Sequence, residues 1–143
     1  MIKKVLVVCV GNICRSPLAE HLLRMHRPDL IFSSAGLGAL EGHPADPVVA
    51  ELAARDFGVT LEHHRGRQFK AGLGADQDLI LVMEPAHRAG IGDIAPQLLG
   101  RTMLFDRWTT GRGIGDPYRQ SRELHKIVCR LIAANAKEWA TRL

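Results

Sequence analysis

Aromatic residues are scarce in this 143-residue chain: seven in all, with a single tyrosine. Seven aromatics and scattered arginines build no continuous stripe of the kind that stacks single-stranded nucleic acid, which argues against such a platform. Cysteine is scarce too. Cys9, Cys14 and Cys129 are an odd trio, too few for a secreted scaffold held by disulfides, and they point to a reducing compartment. Long hydrophobic runs are missing as well. Val5 to Val10 and Leu79 to Met83 are strand-sized, far short of the ~20 residues that cross a bilayer as a helix. The opening MIKKVLVVCVG imitates a signal peptide, but its apolar run is short and no small-residue cleavage site follows. The expectation is a cytoplasmic protein with no membrane insertion.

What is present is the composition of an ordinary globule, 46% hydrophobic and 24% charged. Residues 1–143 read as one domain, with no internal repeat, low-complexity tract or linker. A chain of this size buries roughly 68–70% of its unfolded surface, so it needs neither disulfide nor structural metal. Nineteen basic against fifteen acidic residues give a net charge of +4, and fourteen of the nineteen are arginine. The arginines are scattered, from Arg24 and Arg27 through Arg65, Arg67 and Arg88 to Arg130 and Arg142. Such a distribution describes a solvated surface, not a nucleic-acid groove. Arginine's planar fork nevertheless keeps a phosphorylated ligand open.

Continuous apolar runs at 5–10 and 79–83 predict strands buried on both faces, as in a parallel sheet, and 30–34 and 101–105 are weaker candidates. Helical spacing recurs over 17–26, 46–57 and 85–91, and again over 119–143, where Leu124, Ile127, Val128, Leu131, Ile132 and Trp139 share one face. Strands alternating with helices predict an α/β fold: a doubly wound, four-stranded parallel sheet flanked by helices. Ligands in such sheets bind beyond the carboxyl ends of the strands, which directs attention to the loop after the first strand.

That loop reads Cys9-Val10-Gly11-Asn12-Ile13-Cys14-Arg15-Ser16-Pro17 and runs directly into a helix. Pro17 suits a first helical turn. Gly11 and Asn12 tolerate positive φ, so the segment can curl with several N–H groups pointing inward, an anion cradle at a helix N-terminus. The same field favours the thiolate of Cys9, making it a nucleophile aimed at a bound oxyanion. Arg15 can grip two phosphoryl oxygens, and Ser16 can donate a hydrogen bond to the thiolate. Read singly, Cys9 would be a small buried hydrophobe and Arg15 a surface charge; the register of the whole motif at a strand-to-helix junction favours chemistry.

These residues carry a resemblance. Cys-x5-Arg-Ser, as CVGNICRSPLAE, resembles the signature of low-molecular-weight protein tyrosine phosphatases. The likeness extends through Ser33-Ser34-Ala35-Gly36, His64-Arg65-Gly66-Arg67-Gln68 and the run 78–83 to Asp116-Pro117-Tyr118. The stretches GLGAL, LFDRW and DPYRQS resemble the bacterial branch that acts on tyrosine autokinases of capsule and exopolysaccharide export.

The resemblance implies hydrolysis of protein phosphotyrosine through a phosphocysteine, without cofactor or metal, and a tyrosine autokinase as partner. Cys9, Arg15 and Asp116 would be catalytic. Alone, Asp116-Pro117 reads as a turn, but the resemblance makes Asp116 the general acid that protonates the leaving oxygen and then activates water. Val10, Gly11, Asn12, Ile13, Cys14 and Ser16 would bind the phosphoryl group, with Leu40 and Tyr118 as walls. Asn12, Ser16, Ser34 and His64 would hold the loop curled, although His64 alone reads as a surface histidine. Arg119 stands where the family often has a second tyrosine, and Leu40 where some members place an aromatic residue; both imply a more open pocket. Ile13 resembles the tyrosine-specific branch, since related arginine phosphatases tend to carry Thr there.

Cys14 has two readings, loop packing or a reversible disulfide with Cys9. Cys129 falls in the apolar register of the last helix. His21 and His26 are five apart and share no helical face for a metal. Gly36-Leu37-Gly38 followed by Gly42 misses the dinucleotide spacing, so no nicotinamide cofactor is expected. Two competing functions remain: an arsenate reductase of the same fold, which needs two further relay cysteines, and a non-catalytic phosphate-binding module.

Overall fold

The computed structural model describes residues 1–143. Four parallel strands, β1 (Lys4–Cys9), β2 (Ile31–Gly36), β3 (Leu79–Val82) and β4 (Thr102–Leu104), form one sheet in the order β2-β1-β3-β4. β1 is central, in register Cys9 with Gly36 on one side and Val8 with Val82 on the other. The chain leaves β1 toward β2 and later returns to the opposite side of β1 as β3. The carboxyl end of β1 is therefore the switch point of the sheet, where the crevice for a ligand opens.

Alternate residues of β1 feed two cores, as the pleat dictates. Val5, Val7 and Cys9 face a cluster of 25 buried residues under α1 (Arg15–His26), α2 (Pro47–Phe57) and α5 (Arg122–Arg142), whereas Leu6 and Val8 face a cluster of nine. The smaller side is covered by α3 (Ala71–Ala75), α4 (Pro85–Ile94) and a 3-10 turn at Pro96–Arg101. Cys9 thus belongs to the heavier, better-braced face. The Trp139 indole N–H donates to the Phe105 carbonyl at 2.6 Å, fastening α5 just beyond β4.

Helix ends follow their sequence signals. Asp46 caps α2 by accepting from the amides of Val48 (2.9 Å) and Val49 (3.2 Å), Pro47 opens its first turn, and Gly58 closes it at φ 69°. The last helix begins at Arg122, not Arg119 as its periodicity suggests. Arg119 has φ 60°, and Ser121 caps the helix by accepting from the Leu124 amide at 3.1 Å. Its apolar residues also divide: Val128, Cys129, Ile132, Ala136 and Trp139 are buried, whereas Leu124, Ile127 and Leu131 are exposed. They lie on an adjoining stripe, and spacing alone does not separate two stripes of one wide apolar arc. α3 and the 3-10 turn have no counterpart in the periodicity, both being too short to show one and α3 consisting of Gly and Ala around a single Leu. No helix is long and apolar enough to cross a membrane.

Candidate active site

The loop between β1 and α1 is shaped from outside. Five consecutive carbonyls, from Cys9 to Ile13, each accept a hydrogen bond from another segment: from the amides of Leu37 (3.0 Å), Gly38 (3.0 Å) and Leu40 (3.0 Å), from His64 Nε2 (2.6 Å) and from the Asp46 amide (2.8 Å). With the carbonyls turned out, the amides turn in. The N–H groups of Gly11 to Arg15 donate to nothing in the protein, and α1, whose N-cap is Cys14, has no side-chain cap. Unpaired donors at the positive end of a helix dipole form an oxyanion cradle.

The curl requires one left-handed residue, and it is Asn12 at φ 57°; Gly11, which composition also favours for that role, does not adopt positive φ. Asn12 is fully buried, and its side chain works as a brace. Nδ2 donates to Ser16 Oγ (2.8 Å) and Ser34 Oγ (3.0 Å), while Oδ1 accepts from the Arg67 amide (2.9 Å). Because Ser34 Oγ takes one proton from Asn12, its own goes to Glu20 Oε1 at 2.5 Å. By the same logic Ser16 Oγ directs its proton to Cys9 Sγ, 2.9 Å away. A thiolate at Cys9 therefore has a hydroxyl donor below it. His64 is buried, not a surface residue; since the Asn12 carbonyl can only accept, Nε2 carries the ring proton. Burial pushes the His64 imidazole below its ordinary range, so the neutral tautomer suits its post.

Gly36 is required by close approach. A Cβ there would lie 2.3 Å from the Val10 carbonyl oxygen, inside the cradle's outer wall.

Arg15 is 2% exposed and joins three segments. Nη1 donates to Glu84 Oε2 (2.7 Å) and to the Ile114 carbonyl (2.7 Å); Nη2 lies 3.7 Å from Asp116 Oδ2, and Nε is without a partner. Glu84 Oε2 also meets His87 Nε2 at 3.2 Å. Burial, and then the charge of Arg15, push the His87 imidazole down, while the Glu84 and Asp116 carboxylates pull it up. Asp116 is half-exposed at the mouth, where its Oδ1 accepts from the Tyr118 amide at 3.0 Å, fixing the turn that carries both residues. The Tyr118 ring, at the rim before α5, has the Arg119 guanidinium 5.1 Å from its centroid.

One pocket collects these groups. Cys9, Val10, Gly11, Ile13, Cys14, Arg15, Leu40, Asp116 and Tyr118 line it, joined by Gly38, a residue of the GLGAL stretch that is not among the expected site residues. Asn12 and Ser16 do not line it; they are buried beneath it, as are Ser34 and His64 farther back. Glu84 and His87 escape a reading along the chain, although Glu84 stands two residues past the end of β3, where the strand-end rule would look. The other thiols are poorly suited to attack. Burial pushes Cys14 far up, helped by Asp46 and Asp116, and raises Cys129 to about 11. All three cysteines are free.

A thiol beneath an amide cradle at the switch point of a doubly wound sheet, faced by a buried guanidinium, marks the cysteine-dependent phosphatases. The chain belongs to the low molecular weight phosphotyrosine protein phosphatase family, whose profile matches residues 4–143. It is 49% identical over 143 residues to the low molecular weight protein-tyrosine-phosphatase Wzb of Salmonella typhimurium, covering 100% of this chain and 95% of that one. It is 46% identical over 139 residues to the phosphatase Etp of Escherichia coli, covering 97% and 93%. Among solved structures, Escherichia coli Wzb in complex with sulphate superposes with a TM-score of 0.96 at 44% identity, covering 99% of each chain. Vibrio vulnificus Wzb in complex with benzylphosphonate does so with a TM-score of 0.97 at 42% identity, covering 100% of each.

Proposed function

We propose that this protein-tyrosine phosphatase acts in two displacements at Cys9, with residues 1–143 working as one catalytic domain. The phosphoryl group of phosphotyrosine sits in the cradle, its oxygens taking the free amides of Gly11 to Arg15 and the unpaired Nε edge of Arg15. Leu40, Ile13 and Tyr118 flank the aryl ring. Cys9 Sγ attacks phosphorus in line; the S–P bond forms as the P–O bond to tyrosine breaks, and Asp116 gives its proton to the departing phenoxide. Water, deprotonated by Asp116, then attacks the phosphocysteine, releasing phosphate and the thiolate, which the Ser16 hydroxyl stabilises.

The observation that carries this reading is the 2.9 Å contact of Ser16 Oγ with Cys9 Sγ, at the floor of a cradle whose five carbonyls all point away. Two relatives crystallised with sulphate and with benzylphosphonate, a tetrahedral oxyanion and an aryl-like phosphonate, support it. Hydrolysis of an aryl phosphate decides the matter. Cys9→Ser abolishes turnover, and Asp116→Ala lowers kcat by roughly 10²–10⁴-fold. Equal rates in all three proteins would refute the mechanism.

The substrate we assign is a bacterial tyrosine autokinase of polysaccharide export, met in the cytoplasm. This rests on GLGAL, LFDRW and DPYRQS and on the likeness to Wzb and Etp. Cys9→Ser used as a trap in lysate should retain a tyrosine-phosphorylated kinase; recovery of no phosphotyrosine protein would remove the kinase assignment and leave the chemistry standing.

A further inference from the structure

Behind the cradle, at the free edge of β2, a cavity of about 360 Å³ opens between α1 and residues 63–67, and no apolar side chain lines it. Two arginines seal that edge. Arg24 donates Nε and Nη2 to the Phe32 carbonyl (3.2 and 2.9 Å), and Arg67 donates the same pair to the Ser34 carbonyl (3.3 and 3.2 Å). Capping an edge strand explains why arginines are there. A neutral carbonyl fixes a guanidinium without neutralising it, so the charge of Arg67 is left unspent, while Arg24 also pairs with Glu20.

Arg65 is held in the same way, by the His64 carbonyl at 2.7 Å, and neither Arg65 nor Arg67 forms a salt bridge. The single carboxylate in the cavity wall, Glu20, is taken up by Arg24 (2.6 Å) and Ser34 (2.5 Å). Three guanidinium groups face one carboxylate, a surplus of two positive charges along the cavity wall. Nη1 of Arg24 and Nη1 of Arg67 have no partner on the protein. These are pre-positioned, charged donors without an acceptor, the arrangement that recognises a phosphate dianion.

We propose that this cavity is a second oxyanion site, separate from the cradle, that binds a phosphate dianion through Arg24, Arg65 and Arg67. The dianion is either free inorganic phosphate or a monoester borne on a peptide. An occupant would stand at one end of the chain Glu20, Ser34, Asn12, Ser16, Cys9, whose links are all hydrogen bonds.

The test blocks the cradle first. Iodoacetate carboxymethylates Cys9 and places a carboxylate there, while the buried, high-pKa thiols of Cys14 and Cys129 are spared. The blocked, 15N-labelled protein is titrated at constant ionic strength with inorganic phosphate in one arm and a phosphotyrosine peptide in the other, following the arginine Nε–H and histidine ring signals. Saturable shifts at Arg24, Arg67 and His21 are expected, weakened about tenfold in Arg67→Gln and in Arg65→Gln and partly recovered in Arg67→Lys. Saturation with phosphate identifies the free anion as sufficient; saturation with the peptide alone identifies the peptide-borne monoester. Shifts that track chloride equally, or affinities unchanged in both glutamine variants with an intact backbone spectrum, overturn the proposal. Catalysis is not read in this experiment, so its outcome is independent of the phosphatase mechanism.

Discussion

Glu84 holds Arg15 by one edge. With Nη1 committed to Glu84 and to the Ile114 carbonyl, both at 2.7 Å, the guanidinium plane is set and its Nε edge is left for a phosphoryl oxygen. The Ile114 bond also ties the segment carrying Asp116 to the same plane. Glu84→Ala removes one charge-assisted hydrogen bond and leaves Ile114 as the remaining tether. The expected result is a fall in kcat/KM for an aryl phosphate of about tenfold or more, from a bond worth roughly 1.5–3 kcal/mol. An unchanged kcat/KM would mean that the Ile114 carbonyl suffices. Glu84 shows why a site is only partly legible along a chain. Cys9, Arg15 and Ser16 lie within eight residues and announce themselves by spacing; Glu84 reaches Arg15 across 69 positions and becomes visible only once β3 is known to lie beside β1.

At the scale of elements, α5 separates apolar residues that stabilise from apolar residues that do not. Ile132 is 1% exposed within the larger core, and Ile127 on the neighbouring stripe is 51% exposed. Ile132→Ala should cost about 2–5 kcal/mol, whereas Ile127→Ala should stay within about 0.5 kcal/mol, as for surface positions. Chemical denaturation of both variants checks this, and similar losses would place Ile127 in a packed interface. The four strands and the longer helices are legible because each carries its own period or its own cap; α3, with neither, is not. Nor is the boundary of α5, since the left-handed Arg119 and the Ser121 cap interrupt an apolar pattern that runs on regardless.

For the molecule as a whole, two buried imidazoles set a pH dependence. Desolvation is the main cause holding His64 and His87 below the ordinary histidine range, so the native state keeps them neutral where the unfolded chain would bind protons. Their contribution to stability is in place above about pH 6.5, the unfolded value, and is lost as the pH falls toward their native values. The melting temperature should therefore drop between about pH 7 and 5, and His64→Gln should shallow that slope. A flat profile over this window would count against neutral burial. Asp29, Glu51 and Asp78, whose carboxyls are held below their usual range by hydrogen bonds, weaken the fold in a separate, more acidic window.

Four of the five carbonyls that shape the cradle are held by main-chain amides, those of Leu37, Gly38, Leu40 and Asp46, and one by the His64 side chain. A main-chain amide is supplied by every residue except proline. Leu40 therefore performs two separable tasks: its N–H secures the Gly11 carbonyl, and its side chain walls the pocket. Evolution is free to exchange that side chain, and with it the shape presented to a substrate, without loosening the machinery beneath. Specificity and catalysis are written in different parts of one residue.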